Sequence, residues 1–311
     1  ALPARYALER VIGQGGMATV FLATDQKHGR DVAIKVLDPD VTVTFGTKRF
    51  LREVETVANL NHPHILQLHD SGEADGLLYY VMPYASGGSL RARLERENIL
   101  PIDEAIDLTC EIADALGYAH GKGVVHRDVK PANILFLEAG HVVLADFGLA
   151  QAIAVAEELD PKLTKQGVSL GTPSYMSPEQ ASGEFHIDGR ADQYSLACVL
   201  HEMLTGELLF KGASRREILV KQMTETPIKV SVGRRGVPSE TDHAIDKALS
   251  KTAADRFKTS REFQEALVRS RGPSRPGRKL KSLPTIKARP PTLLGIVASL
   301  ILVSLLAYTV I

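Results

Sequence analysis

Along the first eighty residues the apolar positions fall in short runs bounded by glycine and charged turns, which predicts strands around a single helix. Tyr6 to Ile12 and Thr19 to Asp25 are predicted as an antiparallel hairpin, and Asp31 to Leu37, "DVAIKVL", as a third strand. Between Thr47 and Leu60 the period changes, with Phe50, Val54 and Val57 recurring on one helical face. Glu53 lies on that same stripe, an unusual place for a carboxylate without a partner. Leu66 to Leu68 and Leu77 to Met82 predict two further strands with "GEADG" as the turn between them. After Pro83 the pattern becomes mainly helical, with helices predicted at Ser89 to Glu97, Asp103 to Lys122, Asp188 to Thr205, Ser214 to Thr224 and Glu240 to Leu249. Two charged loops interrupt this half. "HRDVKPAN", His126 to Asn133, precedes a short strand, and "ADFGLA", Ala145 to Ala150, follows the strand Val142 to Leu144. Both clusters stand at strand ends, where function concentrates.

The turn of the first hairpin, "GQGGMATV", is rich in glycine. Runs of this kind occur in dinucleotide crossovers, in P-loops, in protein kinases and in plain tight turns. A dinucleotide site needs a helix directly after its glycines, but Thr19-Val20-Phe21 suits a strand. A P-loop needs Gly-Lys-Ser/Thr, which is absent. What remains is a hairpin that lies over a nucleotide, or a purely structural one.

Composition narrows the picture at the far end of the chain. With 311 residues, 44% of them apolar, the chain can bury a sizeable core and divide into two lobes. Its zero net charge hides an asymmetry: from Arg269 onward there are eight Lys or Arg and no acidic residue, leaving 29 basic against 37 acidic residues before it, a net charge of −8. Charge therefore argues against a nucleic-acid partner for the globular part. Cys110 and Cys198, far apart in apolar helical segments, are expected as buried reduced thiols. Residues 269–291 form a basic, Pro-rich linker. Leu293 to Ile311 then runs for nineteen residues without a charge, long enough as a helix to cross about 30 Å of hydrocarbon. The chain opens with Ala and stops in that apolar run, so a fragment of a longer protein is expected.

The ordered set "GQGGMATV", "VAIK", Glu53, "HRDVKPAN", "DFG" and "SPE" resembles a protein-kinase domain over roughly Tyr6 to Val268. The sequence is most similar to bacterial eukaryotic-like serine/threonine kinases that carry one transmembrane helix after the catalytic domain. The resemblance implies an α+β bilobal kinase fold: residues 1–82 as a small β-rich lobe with one helix, 83–268 as the hinge and a mainly helical lobe, 269–291 as a juxtamembrane linker and 292–311 as a transmembrane helix. It implies ATP and Mg²⁺ as cofactors, protein Ser/Thr hydroxyls as substrates, and a lipid bilayer as a partner through 292–311. A homodimer is also allowed.

Transfer of a phosphoryl group asks the protein for positioning, cations and one proton acceptor. Gly13, Gly15 and Gly16 let backbone N–H groups approach phosphate oxygens, although Ala18 stands where the family often has a third glycine. Ile12, Gln14, Val20, Ala33 and Lys35, with Met82 as gatekeeper and the backbone of Pro83 and Ala85, complete the expected nucleotide contacts. Lys35 is expected to pair with Glu53. Asp128 is the candidate base and Lys130 the neutralising cation, while Asn133 and Asp146 offer hard oxygens to Mg²⁺. Glu179 with Arg256, and Asp192 beneath the "HRD" loop, are expected as scaffold.

The segment between Asp146 and Glu179 is expected to switch activity on when phosphorylated, by the protein on itself, at Thr164 and Ser169, with Arg127 as the phosphate's partner. Thr172 resembles the family threonine that contacts Asp128 and Lys130 and shapes the substrate pocket. The eight basic residues before the apolar run place the kinase domain on the cytoplasmic side of a cell membrane. The contrasting expectation is a pseudokinase receptor, which usually lacks the Lys, the HRD Asp or the DFG Asp; all three are present.

Overall fold

The computed structural model describes residues 3–15, 18–39, 47–147, 172–184 and 186–271. Its first part is a five-stranded antiparallel sheet in the order β1-β2-β3-β5-β4. The strands are β1 (Tyr6–Gln14), β2 (Ala18–Asp25), β3 (Arg30–Leu37), β4 (Asp70–Ala74) and β5 (Leu77–Pro83), with helix α1 (Thr47–Ala58) inserted after β3. The two-residue side-chain period of a strand divides the sheet's residues between two faces. Val32 and Ile34 with Tyr79 and Val81 make one apolar cluster; Ala33 and Leu37 with Leu78, Tyr80 and Met82 make the other, against Phe50 and Val54 of α1. Phe50 and Val54 lie on the helix stripe read from the sequence, and burying each contributes roughly 1.5–3 kcal/mol.

One strand is displaced from its expected position. Leu66 to Leu68 carries no sheet ladder, and most of "GEADG" is β4 itself, pairing Asp70 to Ala74 with Val81 to Leu77. The cause is the turn. Asp75 and Gly76 have φ of 50° and 76°, so a two-residue turn with both central residues left-handed closes the hairpin and sets its register. Leu66 is buried all the same, with its N–H on the carbonyl of Leu144.

The second part is mainly helical: α2 (Leu90–Glu97), α3 (Ile102–Gly121), α4 (Pro178–Ser182), α5 (Gly189–Thr205), α6 (Arg215–Thr224), α7 (Val230–Gly233), α8 (Ser239–Ala248) and α9 (Ser260–Arg269). Helix α5 is buried from Ala191 to Leu204 and packs on α3, whose apolar residues Ile106, Leu108, Ile112 and Leu116 are fully buried. Helix α9 lies outside the elements expected from the sequence, although Thr259 caps Glu262 in the S/T-x-x-E spacing and Phe263 and Leu267 follow at helical spacing toward α3. A small hairpin, β6 (Ile134–Phe136) and β7 (Val142–Leu144), lies between α3 and the later helices. Gly87 closes against it: a Cβ there would stand 2.7 Å from Phe136 Cβ, so only glycine lets the chain after β5 pass this close.

Among the described residues no helix is long and apolar enough to cross a membrane. The expected linker beyond 271 and the span at 292–311 lie outside the described residues.

Candidate active site

The β6–β7 hairpin assembles the site. Its register pairs Ile134 with Leu144, and the N–H of Ala145 bonds the carbonyl of Asn133 at 2.8 Å. Asn133, just before β6, and Asp146, just after β7, are thereby brought to the same end of one hairpin. Alternation along β6 buries Ile134 and Phe136 in the helical core and turns Leu135 toward the apolar cluster that also holds Ile12, Val20, Ala33 and Met82. Leu135 was not among the expected nucleotide contacts; a three-residue strand has too short a period to assign its faces from sequence.

Asp128 follows directly. Its Oδ2 accepts from Lys130 Nζ at 2.6 Å and from Asn133 Nδ2 at 3.2 Å, and Asn133 Nδ2 also donates to the Asp128 carbonyl at 2.8 Å. The amide nitrogen of Asn133 is committed, so its carbonyl oxygen is the atom it can offer a cation. His126 is buried in a defined tautomer: Nε2–H donates to the Ala145 carbonyl at 2.8 Å, and Nδ1 accepts from the N–H of Asp128 at 3.2 Å. Beneath the loop, fully buried Asp192 accepts from the N–H of His126 at 2.9 Å, the N–H of Arg127 at 2.8 Å and His120 Nε2 at 2.7 Å. Burial pushes its carboxyl up, but these donors and the neighbouring imidazoles outweigh burial and hold it below the usual range. Arg127 is left with φ of +64°, a cost of order 1–3 kcal/mol that those two backbone bonds offset.

Asp146 stands opposite, also with positive φ, at 65°. Lys35 Nζ donates to its Oδ2 at 2.7 Å and the Tyr80 hydroxyl to its Oδ1 at 2.7 Å. Burial raises this carboxyl, and the Lys35 charge with both hydrogen bonds brings it below the ordinary range. The Tyr80 phenol, buried and beside a carboxylate, is held protonated far above its ordinary value. The side chain of Glu53, the expected partner of Lys35, lies outside the described residues, as do Gly16, Thr164 and Ser169. Gly13 and Gly15 are described at the hairpin tip, where the Gly15 N–H bonds the Ala18 carbonyl at 3.0 Å; Gln14 ends β1. Met82 pairs with Ala33 and Pro83 with Val32 at the end of β5, and Ala85 lies just beyond.

Glu179 and Arg256 form a bidentate pair, with both N···O distances at 2.7 Å. Beside it Gln180 Nε2 donates to the Arg127 carbonyl at 2.7 Å, a link between the "SPE" helix and the "HRD" loop that the sequence reading did not contain. Thr172 is exposed, and no hydrogen bond joins it to Asp128 or Lys130 among the described residues. The Asp128 carboxylate is already engaged by Lys130 and Asn133. Among the described residues no cluster of three or more His, Cys, Asp or Glu side chains is placed to hold a metal. A hard cation here would rest on Asp146 and Asn133 and complete its shell with phosphate oxygens and water, which suits Mg²⁺.

An apolar cluster, a lysine on a half-buried carboxylate, and a second carboxylate beside a lysine and an asparagine are parts that a phosphotransferase site needs. Residues 6–269 match the protein kinase domain family. The serine/threonine-protein kinase PknB of Mycobacterium leprae is 40% identical over 271 residues, which are 85% of this chain and 43% of that protein. The protein of the same name from Mycolicibacterium smegmatis shows the same identity and coverage. The chain belongs to the protein kinase family, among the bacterial eukaryotic-like serine/threonine kinases, which are phosphotransferases. It spans less than half the length of the curated relatives it matches.

Proposed function

We propose that this chain transfers the γ-phosphoryl group of ATP to Ser and Thr hydroxyls of proteins, and that it is held at a membrane by 292–311 with its kinase domain cytoplasmic. What supports the reading above all is the hairpin end where Asn133, Asp146, Asp128 and Lys130 converge, with Lys35 joined to Asp146 across the cleft.

Lys35 orients the phosphates of the nucleotide, which Ile12, Val20, Ala33, Met82 and Leu135 enclose at its base. Asp128, held by Lys130 and Asn133, takes up or orients the proton of the acceptor hydroxyl. Lys130 lies where negative charge grows on the transferred group. Bound Mg²⁺ would supply charge neutralisation, held by Asp146 and Asn133. Regulation belongs to the same reading: the chain phosphorylates itself at Thr164 and Ser169, and Arg127, whose buried Nε has no partner among the described residues, receives the phosphate.

The test is transfer of labelled phosphate to an added protein substrate, with phosphosites mapped by mass spectrometry, for wild type, Lys35→Met and Asp146→Asn. Both variants are expected to fold and to lose transfer. A folded Asp146→Asn variant with full activity would refute the reading.

A further inference from the structure

Strand β5 reads "LLYYVMP" and places two adjacent tyrosines on opposite faces of the sheet. Tyr79 joins the cluster of Val32, Ile34 and Val81. Tyr80 joins the opposite cluster of Ala33, Leu78 and Met82, against which Ile12, Val20 and Leu135 pack. A phenol in such surroundings needs a partner for its hydroxyl. The partner is Oδ1 of Asp146, 2.7 Å away, across 66 residues of sequence.

The geometry divides Asp146 between two neighbouring strands. Lys35 faces Tyr80 in the β3–β5 register, and their side chains take one carboxylate oxygen each, Oδ2 and Oδ1. The Lys35 ammonium lies 5.8 Å from the centre of the Tyr80 ring. Asp146 itself has the left-handed backbone that non-glycine residues adopt only when their surroundings over-determine it. Phe147 fixes one side, buried with its ring edge-on to His126 at 4.6 Å. The other side is fixed through the carboxylate.

The two donors are not equivalent during turnover. When the Lys35 ammonium turns to the nucleotide phosphates, Oδ2 is released for the cation. Tyr80 has no such competing task, because its hydroxyl is buried and has no second partner among the described residues. We propose that Tyr80 is a positioning residue for the metal site: its hydroxyl holds the plane of the Asp146 carboxylate so that the other oxygen faces the cation. The inference rests on Asp146 being a cation ligand. Partners of this kind behind a metal ligand are worth about 10–100-fold in metal affinity.

The full chain in detergent is titrated with Mn²⁺ in the presence of the non-hydrolysable analogue AMP-PNP, with free Mn²⁺ read by electron paramagnetic resonance. Wild type, Tyr80→Phe and Asp146→Asn are compared, and AMP-PNP binding in EDTA is measured for each. The expected result for Tyr80→Phe is an Mn²⁺ dissociation constant raised at least about tenfold with AMP-PNP binding in EDTA within about twofold of wild type, while Asp146→Asn loses the Mn²⁺ site. If Tyr80→Phe binds Mn²⁺ as tightly as wild type while Asp146→Asn does not, the role of Tyr80 is overturned and the reading of Asp146 stands. If Asp146→Asn keeps the Mn²⁺ site, the reading of Asp146 fails and the role of Tyr80 fails with it. Loss of AMP-PNP binding in EDTA by Tyr80→Phe would make the hydroxyl a support of the cleft rather than of the carboxylate, and also overturns the proposal.

Discussion

Replacing Arg256 with Leu removes a guanidinium whose side chain is 0% exposed and leaves Glu179, 9% exposed at its side chain, without a cation. Two 2.7 Å charge-assisted bonds go, and the carbonyls of Ser250 and Arg190 lose donors at 2.8 and 2.9 Å. Breaking a buried pair by removing one partner costs about 3–5 kcal/mol, because the remaining charge stays desolvated. At roughly 2–4 °C per kcal/mol for a domain of this size, a loss of about 4 kcal/mol lowers the melting temperature by about 8–16 °C. The damage extends to the site, since Gln180, next to Glu179, holds the Arg127 carbonyl beside the proposed base. Urea unfolding and scanning calorimetry of wild type, Arg256→Leu and the double variant Glu179→Met with Arg256→Leu separate burial of charge from packing. The double variant is expected to recover most of the loss, because it leaves no charge buried. A cost below about 1 kcal/mol for the single change, or a double variant no more stable than the single, would refute the reasoning.

Lys251 reports pH from the same region: burial first, with the like charge of Arg256, lowers its ammonium from 10.5 to about 8, while its Nζ donates to the Gln222 carbonyl at 2.8 Å. The unfolded chain therefore binds more protons between pH 8 and 10.5, so this lysine makes stability rise with pH through that window. Burial raises the Cys110 thiol to about 12 and Cys198 higher still, which opposes the rise above pH 9, so the measurement is the difference in unfolding free energy between wild type and Lys251→Met; parallel curves would contradict it. Fully buried Gln222 donates to the carbonyls of Pro173 and Ser174 at 3.2 and 2.8 Å and accepts from the Tyr194 hydroxyl at 2.6 Å. Gln222→Met leaves these groups unsatisfied at about 1–3 kcal/mol, and is expected to raise the KM for a peptide substrate roughly tenfold with the KM for ATP unchanged; equal changes in both would assign Gln222 to general stability.

How far the sequence reaches is clear element by element. The β1–β2 hairpin, β3, α1 and the long helices α3 and α5 were legible because two-residue and 3.6-residue periods show which face of a single element is apolar. The "HRD" and "DFG" loops were legible because each gathers its charged and polar residues within a few positions at a strand end, in the order the kinase resemblance implies. β4 was misplaced because its residues are mostly polar and small, and the pairing was set by the left-handed Asp75-Gly76 turn instead. The α9 helix carries a Thr259 cap and the apolar pair Phe263 and Leu267, too few apolar positions to set a helical period by themselves.

By itself the sequence determined the local periods and the order of the charged loops, since each depends on residues within a few positions of one another. Only the tertiary structure decided that the Tyr80 hydroxyl reaches Asp146, that Gln180 holds the Arg127 carbonyl, and that Gln222 fastens Pro173 and Ser174. These bonds join residues 48 to 66 positions apart. Sheet register and helix packing bring such groups within 3 Å, and the need of each buried polar atom for a partner then selects the bond.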